Sequence, residues 1–141
     1  MSECEHNNDI LIAKINKGKK IVDSIIGFCQ ENNITGAWVT GIGAVSKAKL
    51  AFYDLSKKSF SKKEIKNPLE IASLSGNIGL LDRKLVAHIH TVLSDKEMTT
   101  FAGHLEEATV AATCEIKLEI FDQPIIRKFD PDIGLNLIQI K

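Results

Sequence analysis

The sequence predicts a single α+β domain, with a largely antiparallel β-sheet packed against an N-terminal amphipathic helix and a few further short helices. Three observations support this fold class. One early stretch has helical periodicity, and most later segments have the two-residue alternation of strands. Regularly alternating strands and helices, which a parallel α/β fold requires, are missing. At 141 residues the chain suits one domain, and no linker-like stretch divides it.

The N-terminal third contains the predicted helix. Residues 1–8 are polar and are predicted to be disordered, so that the domain spans residues 9–141. Apolar residues from Ile10 to Ile15 indicate a short strand that ends at Gly18. Between Lys19 and Asn33 apolar side chains then recur three and four residues apart, at Ile21, Val22, Ile25, Ile26 and Cys29. This pattern predicts an amphipathic helix that covers one face of a sheet.

The remaining chain is predicted to be mainly β. Leu55–Ser59 has the composition of a hairpin turn, followed by a return strand from Phe60. Strands are predicted at 37–40, 48–53, 69–74, 85–93, 109–121 and 133–140. The glycines at Gly41 and Gly43 do not indicate a dinucleotide site, because that fingerprint needs a third glycine opening a helix. They indicate a bulge or a close backbone approach.

Composition and charge exclude several classes of protein. Lysine plus arginine and aspartate plus glutamate both number 18, so the net charge of zero disfavours a dedicated DNA-binding domain. The N-terminus has no signal-peptide pattern, and no apolar run is long enough to span a membrane. Three widely spaced cysteines argue against a disulfide framework. We therefore expect a cytoplasmic protein.

Histidines form the most informative cluster. His88 and His90 lie two residues apart in a predicted strand, which points both imidazoles to one face. His104 follows on the next segment. Imidazole is a favoured ligand for zinc, iron, nickel and copper. The pattern is consistent with a metal site, and equally with hydrogen-bonded core histidines.

Three histidines leave the fourth ligand of a tetrahedral metal site unidentified, and that ligand would decide the role of the site. A fourth protein ligand would make it structural, whereas a water or substrate would leave it open for catalysis. The candidate carboxylates are Glu70, Asp82, Glu106 and Glu107, each also compatible with an ordinary exposed side chain. The five lysines between residues 57 and 66 could contact phosphates. The favoured interpretation is a sheet edge where lysines prevent pairing with a strand of another molecule. Cys29 and Cys114 are expected to be small core side chains.

Four segments resemble successive landmarks of the PPC (plants and prokaryotes conserved) family. They are Gly36–Ala44, Leu69–Ile78, Ala87–His90 and Ala102–Ala108. Their order and spacing match over roughly residues 10–140, nearly the whole chain. The His-x-His pair followed by Gly103-His104-Leu105 is the most specific element.

The resemblance implies a homotrimeric domain in which His88, His90 and His104 hold a metal, with zinc favoured. In plant members the domain follows an AT-hook, and many prokaryotic members are described as DNA-binding by association. No Arg-Gly-Arg-Pro segment occurs in these 141 residues. At the partner-contacting Gly-Arg-Phe-Glu-Ile-Leu patch of plant members, this chain has Asn67–Ala72 and retains only Glu70 and Ile71.

Two classes of function follow as hypotheses. The first is a non-enzymatic, metal-binding homotrimer with a regulatory role and weak or indirect DNA association. The alternative is a metal-dependent hydrolase or lyase that uses an open position at the three histidines. A metal or small-molecule sensor would use the same site, and the sequence does not name its ligand.

Overall fold

The computed structural model describes residues 3–7 and 9–140. In that part of the chain there are nine strands and one helix, in the order β1 (Glu3–Asn7), β2 (Ile10–Asn16), α1 (Ile21–Glu31), β3 (Ala37–Asp54), β4 (Ser59–Ile65), β5 (Leu69–Leu81), β6 (Lys84–Ser94), β7 (Thr100–Ile120), β8 (Ile126–Asp130) and β9 (Leu135–Ile138). The chain is therefore a single, mostly β domain with one helix. The further short helices of the predicted fold class are absent from the described residues, because strands extend through the segments between the predicted ones.

One sheet contains all nine strands, and every pairing except β5 with β8 is antiparallel. Strand β3 pairs with β5 and β7, and β6 pairs with the same two strands. These four pairings form a closed circuit, so the sheet curls around its own apolar face. The predicted antiparallel character is confirmed.

The helix begins and ends close to the predicted positions. Ile21, Ile25 and Cys29 are buried and join the core, as the helical spacing predicts. Lys20 at the N-terminus of α1 makes no capping hydrogen bond from its side chain. The Glu107 carboxylate on β7 instead accepts hydrogen bonds from the backbone N–H groups of Val22 and Asp23, at 2.9 and 3.1 Å. Glu107 therefore stabilises the end of the helix that carries positive partial charge.

Strand β3 unites two segments that the sequence presents as separate. The predicted strands at 37–40 and 48–53 are parts of one 18-residue strand. Its register shifts between Gly41 and Gly43 against β5, and between Gly43 and Val45 against β7. The interpretation of these glycines as a bulge is confirmed. These bulges lie within the long pairing of β3 with β7, which runs from His104 to Ile120.

Two further expectations concern the ends of the chain. Residues 3–7, inside the segment predicted to be disordered, form β1, whereas residues 1, 2 and 8 lie outside the described residues. The domain start at residue 9 stays a prediction. At the other end, β8 was not predicted, and the predicted strand at 133–140 is shorter, at Leu135–Ile138. Tyr53 Oη donates a 2.8 Å hydrogen bond to the carbonyl of Ile133 and so holds the β8–β9 turn against β3.

Gly76 on β5 lies against the strand that carries the paired histidines, with no room for a side chain. A Cβ at Gly76 would overlap the carbonyl oxygen of His88 and lie 2.6 Å from the Cα of Ile89. We predict that Gly76→Ala lowers the free energy of unfolding by about 1–3 kcal/mol, because the two backbones would have to separate. Urea denaturation measures the change.

Gly27→Ala is the matched control. A Cβ added at this helical glycine would have nothing within 4 Å of it, so alanine there should raise stability by about 0.5–1 kcal/mol. A Gly76→Ala protein as stable as the parent would show that β5 and β6 can separate without cost.

Candidate metal centre

The three predicted histidines lie together. His90 on β6 is paired directly with His104 on β7, and His88 lies two residues earlier on the same face of β6. The ring centroids are 5.2 Å apart for His88 and His90, 5.4 Å for His88 and His104, and 5.7 Å for His90 and His104. One ligand nitrogen from each ring lies within 4.8 Å of the others. The backbone pairing of two strands thus assembles the cluster.

The donor set fits a divalent metal of the zinc type. Nitrogens of a tetrahedral zinc site lie roughly 3.3 Å apart, given zinc–nitrogen distances of about 2.0–2.1 Å. Rotation of the imidazoles about their side-chain bonds covers the difference from 4.8 Å, since His88 and His90 have exposed side chains and only His104 is half-buried. In the described residues, no carboxylate or thiol belongs to the cluster. The arrangement therefore offers three neutral ligands and leaves a fourth position open.

Local electrostatics keep two of the imidazoles neutral. Although His88 as a whole is an exposed residue, desolvation of its ring is the first cause that lowers its pKa to about 4, followed by the charge of Arg127 and by the other two histidines. Burial also lowers the pKa of His104, with a further contribution from His90. A neutral imidazole is the form that binds a metal, so both rings are ready to act as ligands at physiological pH.

The four candidate carboxylates lie elsewhere. Glu106 forms ion pairs with Lys49, at 3.0 Å, and with Lys62. Desolvation alone would raise the pKa of Glu106, but the hydrogen bonds and charges of these two lysines outweigh it, and the pKa is lowered. Glu107 caps α1, and burial raises its pKa in spite of the three backbone N–H groups it binds. Glu70 and Asp82 are exposed and outside the histidine cluster.

The other predicted side chains have structural roles. Strand β4, which carries Lys62 and Lys63, pairs among the described residues with β3 alone and is exposed except at Ile65, as expected of a lysine-protected edge. Lys57, Lys62 and Lys66 form ion pairs with nearby carboxylates. Cys29 and Cys114 are free and buried, and burial raises the pKa of each thiol to about 11. Neither is a nucleophile at neutral pH.

Arg127 is the functional residue that the sequence does not reveal. Its side chain on β8 is buried, donates a 2.6 Å hydrogen bond from Nη2 to Asn77 Oδ1, and lies 3.1 Å from His88 Nδ1 through the same nitrogen. Its Nη1 donates to the carbonyl of Asn136 at 2.8 Å. Arginine is usually exposed, and nothing local in the sequence marks this one as turned inward.

A pocket of about 890 Å³ opens above the three histidines. Arg127 and the histidines supply its polar wall. The other walls are mainly apolar side chains from β3, β4, β6 and the β8–β9 hairpin, including Phe52, Tyr53, Phe60, Val86, Leu135, Leu137 and Ile138. A concave, mainly apolar site with a few convergent polar groups is typical of small-molecule binding.

The fold and the site define a curled, mostly antiparallel β domain with a three-histidine pocket. The sequence profile of the Plants and Prokaryotes Conserved (PCC) domain matches residues 2–122, and the chain belongs to this family. This is the family whose landmarks the sequence resembles, so that expectation is confirmed. No curated protein matches the chain.

Solved structures agree in fold over nearly the whole chain. A metal-containing protein from Archaeoglobus fulgidus is 35% identical with a TM-score of 0.87, covering 99% of this chain and 100% of its own. A PPC protein from Pyrococcus horikoshii is 26% identical with a TM-score of 0.87, covering 100% and 97%. A candidate DNA-binding protein from Bacteroides thetaiotaomicron is 28% identical with a TM-score of 0.93, covering 97% and 96%. In the described residues no helix is long and apolar enough to cross a membrane.

Proposed function

We propose that this chain is a metal-binding homotrimer of the PCC family, with zinc held by His88, His90 and His104, and that its role is regulatory and not catalytic. The observation that carries the proposal is the three-histidine cluster, whose ligand nitrogens all lie within 4.8 Å of one another on two paired strands. The name of the Archaeoglobus fulgidus relative, a metal-containing protein, supports a metal in this family. A bound zinc would supply a Lewis acid with a position open to the pocket.

A metal-dependent hydrolase or lyase is the second candidate, and the open fourth position together with the pocket above it favours that candidate. Such chemistry usually needs a general base beside the metal-bound water. Among the described residues, the nearest predicted base, Glu106, is held in ion pairs with two lysines. The family and the three solved structures named above are described as DNA-binding, PPC or metal-containing proteins, whereas acetolactate decarboxylases from Bacillus subtilis, at 14 and 15% identity, share the fold alone. We therefore place the enzyme second.

Metal content tests the site directly. We predict near-stoichiometric zinc in tag-free protein purified without a chelator, and none in a His88→Ala, His90→Ala variant, because one remaining imidazole cannot hold the ion. Elemental analysis of both proteins measures this, with His6→Ala, at the fourth histidine of the sequence, as the matched control. Equal metal in the parent and the double variant would refute the site.

The trimer is supported by exposed apolar side chains on β2 and β3, the two strands that flank β7. Ile12, Trp38 and Ile42 are 58, 40 and 57% exposed there. A group of large apolar side chains exposed on one face is typical of an interface. A second copy of the chain would remove it from water.

We predict a light-scattering mass about three times the 15.5 kDa of one chain. An Ile12→Lys, Ile42→Lys variant should have a lower mass, since two charges at the interface would oppose association. Leu55→Lys, Met98→Lys changes two exposed apolar residues elsewhere and should leave the mass unchanged. A monomeric parent protein would refute the trimer. If the Ile12→Lys, Ile42→Lys variant is still a trimer, the interface lies on another surface.

DNA association should be weak. The net charge is zero, and three of the lysines between residues 57 and 66 form ion pairs with carboxylates, which leaves little charge for phosphates. We predict that binding to an A·T-rich duplex, measured by fluorescence anisotropy, is lost as salt rises from about 50 to 200 mM.

Lysine variants locate any contact that does occur. Lys58→Ala, Lys63→Ala removes two lysines of this segment that form no ion pair among the described residues, and Lys17→Ala, Lys19→Ala is the matched change at another exposed surface. If only the Lys58→Ala, Lys63→Ala variant binds DNA more weakly at low salt, the DNA contacts the segment around β4. Tight binding of the parent at physiological salt would show that DNA is a main ligand.

A further inference from the structure

Arg127 carries a buried charge without a compensating anion. The residue is 8% exposed, and no carboxylate among the described residues forms an ion pair with it. Its three hydrogen-bond partners, Asn77, Asn136 and His88, are all neutral. A buried guanidinium normally has an anionic partner, because removing its charge from water is costly. The missing partner must therefore come from outside the described chain.

The guanidinium also has donors left over. Arginine has five N–H groups and no acceptor. Three of them are used, by the Asn136 carbonyl, Asn77 Oδ1 and His88 Nδ1. Nε is buried without a partner, and the second N–H of Nη1 has none among the described residues. Unsatisfied donors beside an open pocket are suited to an acceptor that enters from solvent.

Metal binding would free a further donor. Because Arg127 can only donate, the His88 nitrogen that faces it, Nδ1, must carry the free lone pair, and neutral His88 then has its proton on Nε2. A neutral imidazole has one such lone pair. His88 has two ways to bind a metal. It can bind through Nδ1, whose lone pair then no longer accepts from Arg127, or it can move its proton to Nδ1 and bind through Nε2. In the second case the N–H at Nδ1 faces an N–H of Arg127. Either way the hydrogen bond between His88 and Arg127 is lost.

We propose that the pocket binds an organic monocarboxylate with an apolar tail, whose carboxylate is held by Arg127 beside the three histidines. A planar carboxylate accepts two parallel hydrogen bonds from a guanidinium and neutralises its charge. The aromatic and aliphatic walls of the 890 Å³ pocket, including Phe52, Phe60 and Leu137, suit the tail. The part of the proposal that concerns metal rests on the proposed function, since the metal both adds positive charge and frees Nη2.

Titration of the zinc-loaded protein with phenylacetate tests the proposal, with phenylacetamide and phenethylamine as neutral and cationic probes of the same shape. We expect calorimetry to show phenylacetate binding at least tenfold tighter than either control. Arg127→Met removes the charge and keeps an unbranched side chain, and it should weaken phenylacetate binding at least tenfold. Arg83→Met, at the exposed arginine of the β5–β6 turn, should have no effect.

Folding and metal content are measured on every variant, by circular dichroism and elemental analysis. If Arg127→Met does not fold, Arg127→Lys keeps the charge without the planar fork and should bind phenylacetate with intermediate affinity. Equal binding of phenylacetate and phenylacetamide by the parent, or unchanged affinity in a folded Arg127→Met protein, would overturn the proposal.

The same titration on metal-free protein separates the two proposals. Weaker but Arg127-dependent phenylacetate binding without zinc supports the carboxylate site together with the role of the metal in freeing the guanidinium. If no variant or parent retains zinc, the metal proposal fails, and the carboxylate site is then decided by the metal-free titration alone. No binding of phenylacetate in either form would refute it.

Discussion

Strand β6 has to pair with β5 on one side and β7 on the other, and the chemistry of the molecule depends on this double pairing. The pairing with β7 places His104 opposite His90, and the two-residue period of a strand adds His88 on the same face. The pairing with β5 places Asn77 opposite His88, from where it binds Arg127. Backbone hydrogen bonds, which do not depend on side-chain identity, therefore set the positions of the three histidines and of Asn77.

The close packing of β5 against β6 restricts which residues β5 can have. Glycine at position 76 is required because any Cβ would meet the backbone at His88 and Ile89. On the other side, bulges at Gly41–Gly43 bend β3 so that it can follow β7 around the curl. The glycines in the family landmarks are thus explained by strand contact and curvature. They are not explained by a phosphate-binding loop, and the rigid scaffold they permit holds the histidines before any ligand arrives.

The histidine cluster could be predicted from the sequence, and Arg127 could not, for a definite reason. His88 and His90 need only the local period of a strand, and the helix α1 needs only its apolar spacing. Arg127 reaches the site through the parallel pairing of β5 with β8, where Leu81 is opposite Arg127. This pairing is short and joins distant segments, and an arginine between Ile126 and Lys128 would ordinarily point to solvent. The sequence selects no fourth ligand among its candidate carboxylates, and the structure holds two of them elsewhere, Glu106 by lysines on β3 and β4 and Glu107 by the N-terminus of α1.

A net charge of zero for the chain is compatible with a positively charged pocket. The charges that cancel in the composition are spread over the surface, where water and salt screen them. Arg127 lies in a partly desolvated wall, where its field is screened less, and a divalent metal on the histidines would add two further charges of the same sign. Such a site would select an anion over a neutral isostere even in a protein of zero net charge. Long polyanions such as DNA respond to the whole surface, whereas a small carboxylate responds to the pocket, so the same charge distribution disfavours one ligand and favours the other.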